Sequence, residues 1–246
     1  MRYKLIACDV FARLAYYCAA LSPNLIDIEF LEKGLHVEPA NLRSELNAHI
    51  NAVDPAVYDA ILLAYGLCGN SVVGLRAGEL PLVIPRAHDC ITLFLGSAAQ
   101  YAQEAREHPG TYWYTPDYIE RGRAATDVVA LGSSGIEDMQ GVYAEYVEKY
   151  GQDNADYLME VMGAWTAHYD RAVYIRTCEA TFPDLSAVVR ETAERRGWNY
   201  VEMAGSLLLI RDLIDGRWDD ERYLVVQPGQ AIEPSNDAGV VRSASD

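Results

Sequence analysis

Short apolar runs recur along the chain with amphipathic stretches between them. Residues 4–7 predict a first strand that ends at Cys8, and residues 9–21 predict a helix stopped by Ser22-Pro23-Asn24. Residues 26–31 alternate apolar and acidic side chains, the pattern of a strand with one wetter face. Residues 39–51 carry apolar positions at helical spacing behind Glu38-Pro39. Residues 58–65 read as a strand running into Gly66-Leu67-Cys68-Gly69-Asn70, with residues 71–78 as a short helix. The run at residues 80–85 is a buried strand that Pro85 halts, and residues 92–106 are helical.

The second half continues the alternation less evenly. Residues 110–122 hold Tyr112, Trp113, Tyr114 and Tyr118 between glycines, as a hairpin or loop pinned by large rings. Residues 126–131 predict a strand ending in Gly132-Ser133-Ser134-Gly135. Residues 138–169 predict a helix pair broken at Gly151-Gln152-Asp153, with Tyr143, Tyr146, Tyr150 and Tyr157 as apolar stripes of core or subunit contact and His168 at its end. Residues 172–176 are a strand stopping at Cys178. Residues 183–196 are a helix closed by Gly197, residues 199–203 a strand, residues 206–215 a helix capped by Ser206 and stopped by Gly216, and residues 223–226 the last strand.

This order predicts a doubly wound α/β fold, a mostly parallel sheet flanked by helices, with a helical pair inserted in the second half. One domain spans residues 1–232, with a helical and aromatic insertion near residues 108–170. Residues 233–246 are small and polar and read as a disordered tail.

Four of the five cysteines follow the end of a predicted strand: Cys8, Cys68, Cys90 and Cys178. If those strands are parallel, the thiols project from one edge of the sheet, where open α/β sheets bind ligands. His88 stands one residue from Cys90, and imidazole and thiolate together suit a soft metal such as zinc. Cys18 lies within an apolar helical run and reads as core, since free cysteine is often a small buried hydrophobe. His36 and His49 are isolated and read as surface or satisfied polar residues. The glycines flanking Cys68 mark backbone that approaches something closely or turns with positive φ. A phosphate-cradling turn is the rival there, but neither a Walker pattern nor GxGxxG is present.

Composition narrows the partners. A formal charge of −16 and pI near 4.6 argue against nucleic acid. No apolar run is long enough to span a bilayer. Met1-Arg2-Tyr3-Lys4 leads straight into a strand pattern without a signal sequence, and an odd, scattered set of cysteines fits a reducing cytoplasm.

The segments Tyr-Gly-Leu-Cys-Gly-Asn (65–70), Pro-Arg-Ala-His-Asp-Cys-Ile-Thr-Leu (85–93), Pro-Gly-Thr-Tyr-Trp (109–113) and Trp-Asp-Asp (218–220) resemble an uncharacterised bacterial and archaeal family, the domain of unknown function 1638. The resemblance covers nearly the whole chain and implies no established activity. Members are often encoded near corrinoid-dependent methyltransferase systems. Locally, His88-x-Cys90 with Cys178 is similar to the His-x-Cys…Cys zinc pattern of cobalamin-linked enzymes that methylate a thiol. That similarity implies zinc binding the acceptor thiol as a thiolate.

The expectation is therefore a zinc-dependent methyltransferase or thiol-alkylating enzyme acting on a small molecule, in one-carbon metabolism, with a corrinoid protein as partner. His88, Cys90 and Cys178 are its ligands, with Cys68 or Cys8 either completing the shell or yielding to substrate. Arg86 and Asp89 orient ligands or an anionic substrate, Asn70 bonds substrate, and Tyr112, Trp113 and Tyr114 form a lid. Two alternatives stand beside it. One is a redox or carrier protein holding an iron–sulfur cluster on Cys8, Cys68, Cys90 and Cys178. The other is a non-catalytic corrinoid-binding accessory with the aromatic patch as platform.

Overall fold

Leu5, Ile6 and Ala7 are fully buried within β1 (Arg2–Cys8), because this strand has a neighbour on each side and helices above it. The structure is a computed structural model describing residues 1–121, 147, 151–152, 154, 169–176, 182–237 and 239–244. The strand predicted at 126–131, nearly all of the helix pair at 138–169 with its four tyrosines and His168, and Cys178 lie outside these residues.

From β1 the chain passes through a 3-10 turn (Asp9–Phe11) into α1 (Ala12–Leu21), then β2 (Leu25–Leu31), a second 3-10 turn (Lys33–Val37), α2 (Pro39–Asn51) and β3 (Ala60–Ala64). After β4 (Leu82–Pro85) come α3 (Cys90–Leu95) and α4 (Ala98–Glu107). Then follow β5 (Thr111–Tyr114), α5 (Pro116–Glu120), β6 (Arg171–Arg176), α6 (Ser186–Arg196), β7 (Asn199–Ala204), α7 (Leu208–Asp215) and β8 (Tyr223–Val226). A hairpin of β9 (Ala231–Pro234) and β10 (Val241–Ala244) ends the described chain.

The fold is α/β with a mostly parallel central sheet flanked by helices. Its strand order is β2-β1-β3-β4-β8, with β1 to β4 parallel and β8 antiparallel on β4. The chain steps from β1 to β2 on one side and then crosses to β3 on the other. The carboxyl ends of β1 and β3 therefore flank the switch point, where doubly wound sheets open a crevice. Edge strand β2 forms where the pattern predicts, but its burial does not alternate between faces; its Glu29 pairs with Lys4 at 2.8 Å and with His49 at 2.8 Å.

In detail the structure departs from the expected pattern at several places. The strands do not share one sheet: β5, β6 and β7 form a separate parallel sheet. By packing, the chain divides into two compact units, Met1–Ala102 with Gly205–Asp246, and Gln103–Ala204. Residues 111–114 are a strand and not a loop, their all-aromatic run hiding the alternation that marks one. The helix expected over 92–106 is two helices, because Gly96 takes a left-handed φ of 72°. A Cβ there would lie 2.6 Å from the Ser206 side chain, so the close approach requires glycine.

Residues 71–78 are turns and not a helix. Their backbone bonds instead to β9: Gly74 N donates to Ile232 O at 2.8 Å and Ile232 N to Leu75 O at 2.9 Å. The described residues of the expected disordered tail belong to the β9–β10 hairpin, pinned by buried Ile232, Val240 and Val241. Burying each such side chain stabilises the hairpin by about 1.5–3 kcal/mol, which its polar composition conceals. Among the described residues no helix is long and apolar enough to cross a membrane.

Candidate functional site at the carboxyl ends of β1, β3 and β4

Beyond β3 the backbone continues alongside the segment that leaves β4. Leu67 N donates to Ala87 O at 2.8 Å and Cys68 N to His88 O at 2.9 Å. A Cβ on Gly66 would lie 2.7 Å from Asp89 N and 2.8 Å from Asp89 Cα, so only glycine admits this contact. Three successive residues then turn left-handed: Cys68 (φ 44°), Gly69 (63°) and Asn70 (69°). For Cys68 that conformation costs roughly 1–2 kcal/mol. Buried Ser71 holds the turn, with its N donating to Leu67 O at 3.1 Å and its Oγ to Cys68 O at 2.7 Å. Arg43 Nη2 on α2 donates to Asn70 O at 2.9 Å. Both readings of the glycines around Cys68 thus hold, close approach at Gly66 and positive φ at Gly69.

Asp89 caps α3, its Oδ1 accepting from Thr92 N at 3.2 Å. Burial raises its carboxyl above the usual range, opposed by a hydrogen bond from Tyr101 on α4. Cys90 is the first residue of α3. Cys8 closes β1, buried, its Sγ donating to Asp9 Oδ1 at 3.8 Å; the same oxygen accepts from Lys33 N at 3.0 Å.

The three thiols stand close enough to act on one another electrostatically: Cys68 on Cys8, and Cys68 and Cys8 on Cys90. Cys68 and Cys90 are half-buried residues, yet protein surrounds their sulfurs densely. Burial pushes Cys68 up to about 12, with Asp89 adding to the shift. Cys8 and Cys90 are raised for the same first reason, with Asp9 and Asp89 respectively acting in the same direction. Reactive thiols need an electropositive surround that stabilises the thiolate. Carboxyl neighbours do the opposite, so burial and charge together keep these sulfurs protonated and weakly nucleophilic at neutral pH.

Tyr65, the residue after β3, is 1% exposed, and among the described residues its hydroxyl has no hydrogen-bond partner. A buried hydroxyl left unsatisfied costs about 1–3 kcal/mol. Cys8, Cys68 and Asp9 act on that phenol electrostatically. The His36 ring, from the 3-10 turn after β2, stacks on it with centroids 6.0 Å apart and planes at 30°. Burial lowers the pKa of His36, against the opposing pull of Asp9.

A family model described as "Protein of unknown function (DUF1638)" matches residues 30–214, well over half of the chain. The chain belongs to that family. The matched span includes His36, Tyr65, Cys68, Asp89 and Cys90, while Cys8 and Asp9 precede it. No curated protein and no solved structure matches the chain.

In this DUF1638 protein the predicted residues fare differently. Cys8, Cys68, Cys90 and Asp89 converge. His88 is exposed and contributes its carbonyl to the turn. Arg86 is not available to an anion: its Nε donates to Asp220 O (2.8 Å) and Tyr223 O (3.2 Å), and its Nη1 to Gly239 O (3.0 Å) and Val241 O. It clamps the C-terminal hairpin. Asn70 is exposed, at the end of the left-handed turn. Tyr112, Trp113 and Tyr114 are buried strand residues of the second unit, Tyr112 stacking on Trp198 at 4.9 Å, so they form its core and not a loop that closes as a lid. Cys18 is buried in α1, as expected of a core residue. Among the described residues no three His, Cys, Asp or Glu side chains are grouped to hold a metal ion.

Asp9, His36, Tyr65 and Tyr101 were not singled out from the sequence. Asp9 and Tyr65 adjoin predicted site residues and were within reach of that reading. His36 and Tyr101 reach the site only through the crossover and helix packing, which leave no local signal.

Proposed function

We propose that this chain is a metal-dependent enzyme of thiol alkylation, with zinc held by cysteine sulfurs at the switch point. The observation that carries this reading is the convergence of Cys8, Cys68 and Cys90 from beyond the ends of three neighbouring parallel strands, beside a buried hydroxyl that has no partner among the described residues. Sulfur donors suit zinc, and a coordinating thiol is deprotonated outright. Their acidic surround supports a cation in place of bare-thiol catalysis. Cys178 and His88 are the further donors that the sequence pattern offers.

Zinc, if held there by the sulfurs of Cys8, Cys68 and Cys90, would supply Lewis-acid activation of an acceptor thiol, whose proton would pass to solvent or a nearby base. The acceptor's sulfur lone pair forms the new bond to the methyl carbon, and the donor's leaving group departs with the old bonding pair. A methylated corrinoid is the donor class that the resemblance implies.

Metal analysis of anaerobically purified full-length protein, wild type beside Cys90→Ser, tests the reading. Near-stoichiometric zinc in the wild type, lost in the variant, is the expected result. Undiminished zinc in Cys90→Ser, or a brown iron-containing protein, would overturn it, the second in favour of an iron–sulfur carrier.

A further inference from the structure

Switch-point crevices in open α/β sheets commonly receive phosphate groups, held by backbone amides and basic side chains. Here carboxyls adjoin the thiols instead. The segment leaving β1 begins with Asp9, the segment leaving β4 contributes Asp89, and the nearby guanidinium of Arg86 is committed to backbone carbonyls. Asp9 acts on the thiol of Cys8 and on the phenol of Tyr65, and Asp89 on the thiols of Cys68 and Cys90; the Tyr65 hydroxyl is buried and without a partner among the described residues.

We propose that Tyr65 is a ligand-contacting residue of this site, and that the ligand presents to it a small neutral or cationic polar group and not a phosphate or carboxylate. This rests on the reading of the site as a zinc centre that binds a thiol. A phenol offers one donor and two acceptor positions, so it serves an ammonium or a hydroxyl equally well. A buried anion at the same place would meet Asp9 and Asp89 in a medium that screens poorly. Stacking on His36 fixes the ring, so the hydroxyl keeps its position without internal bonding.

The test is a matched series of small thiols, cysteamine, 2-mercaptoethanol and mercaptoacetate, titrated calorimetrically into the zinc-loaded full chain, each Kd expressed per thiolate. Cysteamine is expected to bind about tenfold or more tightly than mercaptoacetate, with 2-mercaptoethanol between them. Tyr65→Phe, which keeps the ring and its stacking, should weaken cysteamine and 2-mercaptoethanol about fivefold while melting at or above the wild-type temperature. Mercaptoacetate binding as tightly as cysteamine would overturn the proposal. So would Tyr65→Phe that binds like wild type, or one that melts several degrees lower, since the hydroxyl would then have a structural partner. Zinc content of the same samples separates the two readings: zinc present without a charge preference defeats only this inference. If wild type holds no zinc, the metal reading falls, and methylammonium against acetate on the metal-free protein decides the charge preference.

Discussion

Gly66 and Asp89 pack backbone to backbone, so that a methyl group on the first would lie 2.7 Å from the amide nitrogen of the second. This contact holds the exits of β3 and β4 together and sets the spacing of Cys68 and Cys90. Gly66→Ala should destabilise the fold by about 2–3 kcal/mol, as overpacking against backbone does. Urea unfolding measures this. A change within about 0.5 kcal/mol would mean that the two segments part freely.

Cys68 holds its left-handed φ of 44° against its own preference. Cys68→Gly should stabilise the protein by roughly 0.5–1 kcal/mol while abolishing zinc retention. Cys68→Val, β-branched at the same φ, should destabilise it. Equilibrium unfolding beside metal analysis separates the two effects. Equal stability of all three proteins would show that the turn carries no strain.

The raised thiols give a pH dependence of definite sign. Cys68 moves from an ordinary 9.0 up to about 12, so below pH 9 it is protonated in folded and unfolded chains alike and does not change stability with pH. Above pH 9 the unfolded thiol ionises first, and stability falls as pH rises towards about 12. Cys68→Ser should flatten that part of the profile, read by denaturation at pH 8 to 11. In the metal-free protein at pH 7, iodoacetamide should label Cys8, Cys68 and Cys90 roughly a hundredfold more slowly than free cysteine, by mass spectrometry. Rapid labelling would show that a basic side chain supports the thiolates without any metal.

Arg86 holds four backbone carbonyls, from Asp220, Tyr223, Gly239 and Val241. Arg86→Ala should cost about 2–4 kcal/mol and open the β9–β10 hairpin to proteolysis. Zinc content should be unchanged once the protein is folded, because the guanidinium serves the hairpin. Selective loss of zinc at wild-type stability would return Arg86 to the site.

Much of the first unit was legible because its strands are buried on both faces and end at glycine, proline or cysteine. The helix at Pro39–Asn51 and the strand at Tyr223–Val226 have the boundaries that the pattern predicts. The helix break at Gly96 was not legible, since the reason for it is Ser206, more than a hundred residues on. Nor was the hairpin after Gln230, whose small polar residues are held by a distant arginine. Within the site, strand-end cysteines could be placed by counting elements. His36 arrives over the crossover from β2 to β3, and Asp89 meets Tyr101 only because α3 and α4 are separate helices.

Ser206 N donates to Phe94 O at 2.9 Å, and its side chain seats against Gly96. The chain therefore comes back to the first unit within a few residues of where it departs, the geometry of a guest domain spliced into a host. Evolution can lengthen, trade or delete such a guest without redrawing the host's sheet. The cysteine-bearing rim and the aromatic sheet are thus free to have separate histories.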